Sequence, residues 1–133
     1  MIFLTVGEII TLHSKLIAAT GGNGGLLNMG ILESAVLNCC QTFDGEDLYP
    51  GVIEKAARLA FCVCANHPFV DGNKRVAVAA LLTILRLNDV VISYTRKELV
   101  ALGLAVADGS LDYKDIVEWI RSRLSPADAN KPQ

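Results

Sequence analysis

Two long apolar stretches with helical spacing, divided by a proline, limit what this chain can fold into more than any other feature. Val52, Ala56, Leu59, Ala60 and Val63 recur every three or four residues, and so do Ala77, Ala80, Leu81 and Ile84. That period puts each set on one face of a helix. Pro68 lies between them and disfavours the helical conformation at His67, so the first helix has to stop near Asn66. A second is predicted from Asn73 to Leu87, with alanines on a broad apolar side that suits a central place in a bundle.

The remaining punctuation is also helical. Thr5-Val6-Gly7-Glu8 has the form of a capping box and opens a helix that carries Ile9, Leu12 and Leu16 on one face and ends at Gly21-Gly22. Asn28 is a good N-cap for a helix with Ile31, Leu32, Ala35 and Val36 inward, ending near Cys40. Thr42 to Pro50, with an Asp44-Gly45 turn, reads as the longest irregular segment, and Pro50 is placed in the first turn of the helix that follows. Val90 to Tyr94 is short and β-branched, and reads as a brief extended link. Thr95-Arg96-Lys97-Glu98 is another capping box, for a helix ending at Gly109. Asp112 caps a last one with Ile116, Trp119 and Ile120 inward. The expectation is an all-α, six-helix bundle with one short extended link: a single domain over residues 1–124 and a frayed tail over 125–133.

Composition narrows the class. The chain has 133 residues, of which 52% are hydrophobic, enough for one well-buried core. Mean hydropathy is +0.41, yet Arg58, Asn66, Lys74, Arg75 and Arg86 interrupt the apolar runs before the roughly 18 residues a membrane span needs. Met1 to Val6 has no basic residue ahead of its apolar stretch, unlike a secretory signal, so a cytoplasmic location is expected. A net charge of −2 supplies no broad attraction to nucleic acid or anionic lipid. Cys39, Cys40, Cys62 and Cys64 have neither a disulfide framework's spacing nor that of a zinc site, and are expected to be buried reduced thiols.

The distinctive chemistry is confined to His67-Pro68-Phe69-Val70-Asp71-Gly72-Asn73-Lys74-Arg75, a polar loop between the two apolar helices. A helix start offers unpaired N–H groups and a positive dipole end, so residues 72–75 suit a phosphate. Gly72 can turn successive N–H groups inward, and Asn73 can cap the helix and donate to a phosphate oxygen. Lys74 and Arg75 oppose the dipole in the first turn, a placement that makes sense beside an anion. Asp71 can hold Mg²⁺, which commonly takes only one or two carboxylates. His67 is of the residue type suited to taking a proton from a hydroxyl near neutral pH. Phe69 is expected to plug the loop into the core.

Singly, each residue has a plainer explanation: a histidine satisfying carbonyls at a helix end, an ordinary Asp-Gly turn, a solvated first turn. Base, carboxylate, glycine, amide and two cations within nine residues have fewer structural excuses. Competing motifs are weaker. Gly21 to Gly25 follows a helix rather than a strand and does not complete a dinucleotide loop. Gly25 and Gly30 have P-loop spacing, but Ile31 stands where lysine is needed. His13 is assigned to the solvated polar side of the first helix, and Tyr113 and Trp119 to core and boundary positions.

The nine-residue segment resembles the signature of the Fic/Doc family, His-x-Phe-x-(Asp/Glu/Asn)-(Gly/Ala)-Asn-(Gly/Lys)-Arg, at all nine positions. The likeness extends over nearly the whole chain, including Gly30 to Ala35 and Asp108 to Leu111, and length and helical order look like the short Doc branch. It implies a Fic/Doc-like bundle in which His67 is the general base, Asp71 the Mg²⁺ ligand, and Asn73, Lys74 and Arg75, with Gly72, the nucleotide-binding set for ATP. Fic adenylyltransferases usually carry Gly at the position of Lys74. A lysine there implies the reversed nucleotide of Doc, a toxin of a toxin–antitoxin pair that phosphorylates a Ser/Thr hydroxyl of a translation factor such as elongation factor Tu.

Two departures bear on this. Gly72 stands where some Doc proteins have Ala, which keeps protein adenylyl transfer as the alternative. Leu27-Asn28 replaces a pair that often ends in Asp in relatives, so one charge is lost. A catalytically silent binding partner with the same fold is the other class of function. Self-restrained Fic proteins carry Ser/Thr-x-x-x-Glu-Gly/Asn, and the nearest match here, Thr42 with Glu46, ends in Asp47. Inhibition is therefore expected from a separate Phd-like antitoxin that folds a helix into a groove of the toxin.

Overall fold

The computed structural model describes residues 1–125; residues 126–133 of the expected tail lie outside them. Six helices form the body: α1 (Val6–Thr20), α2 (Met29–Cys39), α3 (Val52–Asn66), α4 (Asn73–Leu87), α5 (Arg96–Ala107) and α6 (Tyr113–Arg121). Among the described residues the structure is all-α apart from one small hairpin, β1 (Thr42–Phe43) and β2 (Glu46–Asp47). Among the described residues no helix is long and apolar enough to cross a membrane.

Helices α3 and α4 pack more extensively on each other than any other pair. α2, α5 and α6 also lie against α3, and α1 and α5 against α4. The reason is visible in their stripes. Val52, Ala56, Leu59, Ala60 and Val63 of α3 are all buried, as are Ala77, Ala80, Leu81 and Ile84 of α4. The small buried alanines of both stripes allow the two helices a close approach, with the larger buried residues packed beside them. Fully burying one such Leu or Ile contributes roughly 1.5–3 kcal/mol, so this pair dominates the core.

The capping signals are satisfied as geometry. Thr5, Thr95 and Asp112 each accept from the N–H three residues on, and Glu8, Glu98 and Asp115 return the bond. Asn28 accepts from the Ile31 N–H. The link after α4 is extended, with Ile92 bridging Leu124 and the Ser125 N–H donating to Val91.

Three local expectations need correction. Thr42 to Asp47 is a tight hairpin rather than irregular chain: Asp44 and Gly45 both take positive φ (54° and 81°), the conformation of a two-residue turn that matches strand twist. Pro50 precedes α3 instead of lying in its first turn, because Gly51 is extended (φ −106°, ψ 165°) and serves as N-cap. Cys40 is exposed, while Cys39, Cys62 and Cys64 are buried; burial pushes the Cys39 thiol up to about 12 and that of Cys64 up to about 11.

Candidate active site

The loop between α3 and α4 is built by denying each helix a continuation. His67 is the C-cap of α3 and takes left-handed dihedrals (φ 49°, ψ 64°), its N–H bonded to the Val63 carbonyl at 3.2 Å. A non-glycine residue there is strained by roughly 1–2 kcal/mol. The His67 ring is exposed and makes no hydrogen bond among the described residues. Two residues later Phe69, 1% exposed, anchors the loop in the core as expected.

Asn73 does something other than cap. Its side-chain amide is buried and grips one residue twice: Nδ2 donates to the Phe69 carbonyl at 2.9 Å and Oδ1 accepts from the Phe69 N–H at 3.0 Å. The N-cap of α4 is Gly72, in the left-handed region (φ 78°, ψ 16°), and no side chain caps that helix. The expectation that Asn73 caps α4 is thus corrected: its amide closes the loop. Among the described residues the first N–H groups of α4 have no partner, as at any uncapped helix start.

A second segment holds the loop from outside. Leu26 and Phe69 form an antiparallel bridge. The Leu27 and Asn28 N–H groups both donate to the Pro68 carbonyl (2.8 and 3.0 Å), and the Val70 N–H donates to Gly25 (3.0 Å). The glycine-rich stretch, set aside as a nucleotide loop, is therefore a clamp. Glycine is required at Gly22 (φ 117°), where a Cβ would lie 2.4 Å from Asp71 Oδ2.

Asp71 is held at both carboxylate oxygens. Its Oδ1 accepts from the Gly72 N–H at 2.7 Å and its Oδ2 from the Asn23 N–H at 3.3 Å. Those two N–H groups, helped by Arg75 and His13, hold the carboxyl below its ordinary value. It is exposed and stays ionised at neutral pH. Arg75 reaches across to the end of α1, donating to Thr20 Oγ1 and to the Gly21 carbonyl (2.8 Å), with a second nitrogen 3.6 Å from Asp71. Part of its charge thus serves the C-terminal end of α1, where a cation is favourable. Lys74 has no such role. It is exposed, its Cβ passes over Gly103 of α5, 3.8 Å from where a Cβ there would lie, and its ammonium has no ion pair among the described residues.

The assignment of His13 to a solvated face is overturned. His13 is 1% exposed, stacked on Phe69 (centroids 3.7 Å apart, planes within 11°) and 2.7 Å through Nε2 from the Asp71 carbonyl. Its spacing carried the signal: four residues after Ile9, it shares that residue's face, but its polar type pointed outward. No group of three or more His, Cys, Asp or Glu able to hold a metal occurs among the described residues. Asp71 is the carboxylate in the loop, and one is a normal complement for Mg²⁺ bound chiefly through phosphates.

Residues 3–85 match the model of the Fic/DOC family. The chain belongs to that family. "Toxin Doc" of Mycolicibacterium smegmatis is 43% identical over 72 residues, 54% of this chain and 55% of that protein, so little more than half of its length is matched. "Protein kinase doc" of Escherichia phage P1 is 28% identical over 114 residues, 86% of this chain and 89% of the phage protein. The Fic/DOC match takes in α1 through most of α4, which are the elements that build and clamp the loop.

Proposed function

We propose that this protein is the toxin of a toxin–antitoxin pair and a Doc-type protein kinase, transferring the γ-phosphate of ATP to a Ser/Thr hydroxyl of a translation factor such as elongation factor Tu. One observation carries the reading. The uncapped start of α4 bears a cation, Lys74, that no carboxylate pairs among the described residues, three residues after an ionised Asp71 and within one loop of His67, whose ring makes no hydrogen bond among them. A lysine opposing the helix dipole without a partner is accounted for by an anion at that helix end. The names of the two relatives, a toxin and a protein kinase, support the same class.

In this reading the first N–H groups of α4 and the Lys74 ammonium bind phosphate oxygens. Asp71 would hold Mg²⁺, which when bound would supply charge neutralisation for phosphoryl transfer. His67 takes the proton of the target hydroxyl as that oxygen bonds to the γ-phosphorus. The bond from the γ-phosphorus to the β–γ bridging oxygen breaks, and ADP leaves. Arg75 contributes charge while tying the loop to α1.

Adenylyl transfer stays as a second reading on one specific feature. Gly72 has no Cβ and sits at φ 78°, so the loop retains backbone freedom for a nucleotide bound the other way. Labelled ATP separates the two. With purified elongation factor Tu as target, label from the γ-phosphate is expected on the target and label from the α-phosphate is not. Transfer from the α position by the wild-type protein would make this chain an adenylyltransferase, and no transfer from either would favour a silent binding protein.

A further inference from the structure

A buried histidine behind a catalytic loop can be a filler or a support, and the contacts of His13 distinguish these. A filler needs only volume, which leucine would supply. His13 instead aims Nε2 at the Asp71 carbonyl at 2.7 Å. A carbonyl only accepts, so Nε2 carries the hydrogen. No other donor to that carbonyl occurs among the described residues. The same ring lies flat on Phe69 at 3.7 Å, the residue whose peptide groups Asn73 grips.

The neighbouring positions of α1 continue the pattern. Ile17 and Thr20 follow His13 at helical spacing, on the face turned to the loop. A Cβ at Gly72 would meet Ile17 Cδ1 at 3.1 Å and His13 Nε2 at 3.3 Å, and Thr20 accepts from Arg75. Helix α1 therefore touches Phe69, Asp71, Gly72 and Arg75 along one line. Of these contacts, the His13 bond acts directly on the peptide joining Asp71 to Gly72, the N-cap of α4.

We propose that His13 is a positioning residue of the active site: its Nε2–H bond to the Asp71 carbonyl and its stack on Phe69 keep the Asp71 carboxylate in register with the first N–H groups of α4. The inference rests on the reading of Asp71 as the Mg²⁺ ligand. Without the bond the Asp71–Gly72 peptide can rotate, and the carboxylate leaves the position set by the Gly72 and Asn23 N–H groups. Residues that orient a metal ligand in this way typically change metal affinity by about 10- to 100-fold when lost.

The test uses the full chain and ATP, with binding measured by calorimetry with and without Mg²⁺, below the unfolding transition of each variant. His13→Phe keeps a ring on Phe69 and removes the donor. His13→Gln returns a donor near the Nε2 position and removes the ring. The enhancement of ATP binding by Mg²⁺ is expected to fall about 10-fold or more in His13→Phe, with metal-free ATP affinity unchanged, and to recover largely in His13→Gln. If His13→Phe does not accumulate folded, His13→Leu makes the same comparison. Wild-type Mg²⁺ enhancement in the donorless variant would overturn the proposal, as would equal loss in His13→Gln. Asp71→Asn tests the underlying reading separately: if it loses the enhancement while His13→Phe keeps it, the metal ligand stands and the positioning role falls. If Asp71→Asn keeps the enhancement, the metal reading itself is wrong.

Discussion

At the residue scale, the loop joins one strained position to one firmly held charge. His67 sits at φ 49°, where glycine would be relaxed. Replacing it by Ala or Gly should lower the transfer rate by about 10² to 10⁴, the usual contribution of a general base, with the fold retained by circular dichroism. Of these two variants the Gly protein should be the more stable, by about 1 kcal/mol in urea unfolding, because only Ala keeps the left-handed penalty. A folded His67→Ala protein with full transfer activity would remove His67 from the mechanism. Asp71 predicts a pH effect of defined sign. Its folded pKa lies below the ordinary 3.8, so its ionised form stabilises the fold fully above that value, and the benefit disappears as pH falls through the lowered folded value. The gap in urea midpoint between wild type and Asp71→Asn should be constant near neutrality and close in strong acid. A gap that widened on acidification would contradict the N–H bonding described. Lys74→Gly should cost no more than about 1 kcal/mol of stability, the helix penalty of glycine, since the side chain is exposed and has no ion pair among the described residues, while weakening ATP binding and γ-phosphoryl transfer.

Elements differ in how their ends are held. Helix α5 begins with a reciprocal box in which Thr95 Oγ1 accepts from Glu98 at 3.1 Å and Glu98 Oε1 accepts from Thr95 at 3.0 Å, while Glu98 Oε2 receives Arg123 at 2.8 Å. Thr95→Ala should therefore cost about 1 kcal/mol in chemical denaturation, without changing nucleotide affinity beyond the effect of stability. A large loss of ATP binding in that variant would show that α5, which meets Lys74 at Gly103, is coupled to the site more tightly than one packing contact implies. Helix α4 shows the opposite design. Its start has no side-chain cap, and its first turn carries two cations. What a cap would contribute to stability is absent at the one helix end where a phosphate is proposed to bind, so bound nucleotide is expected to act as the missing cap and raise the melting temperature.

For the whole molecule, the antitoxin proposal has a thermodynamic readout. A partner that binds only the folded protein, present at a hundredfold excess over its dissociation constant, should add about 2.7 kcal/mol to stability; a melting temperature independent of the partner's concentration would argue against such a complex. The helices themselves were legible in the sequence because the period of Val52 to Val63 and Ala77 to Ile84, the capping boxes at Thr5, Thr95 and Asp112, and Pro68 after α3 all act over a few residues, and local interactions leave local marks. The nine-residue segment was legible for the same reason: it is one continuous run. The Asp44-Gly45 hairpin was half legible, since the turn residues were plain but the two short strands depend on their pairing. Tertiary structure alone decided that His13 lies under the loop, that Gly21 to Asn28 clamps it, that Arg75 ties it to the end of α1, and that the Asn73 amide closes it. Each of these is a hydrogen bond or ring contact between parts of the chain brought together only by packing α1 on α4, or, for Asn73, by the reversal of the chain at Phe69. Residue type suggested surface for His13 and phosphate for Asn73. The packed core put both to use in shaping the loop, because a buried loop peptide needs hydrogen-bond partners wherever the fold can supply them.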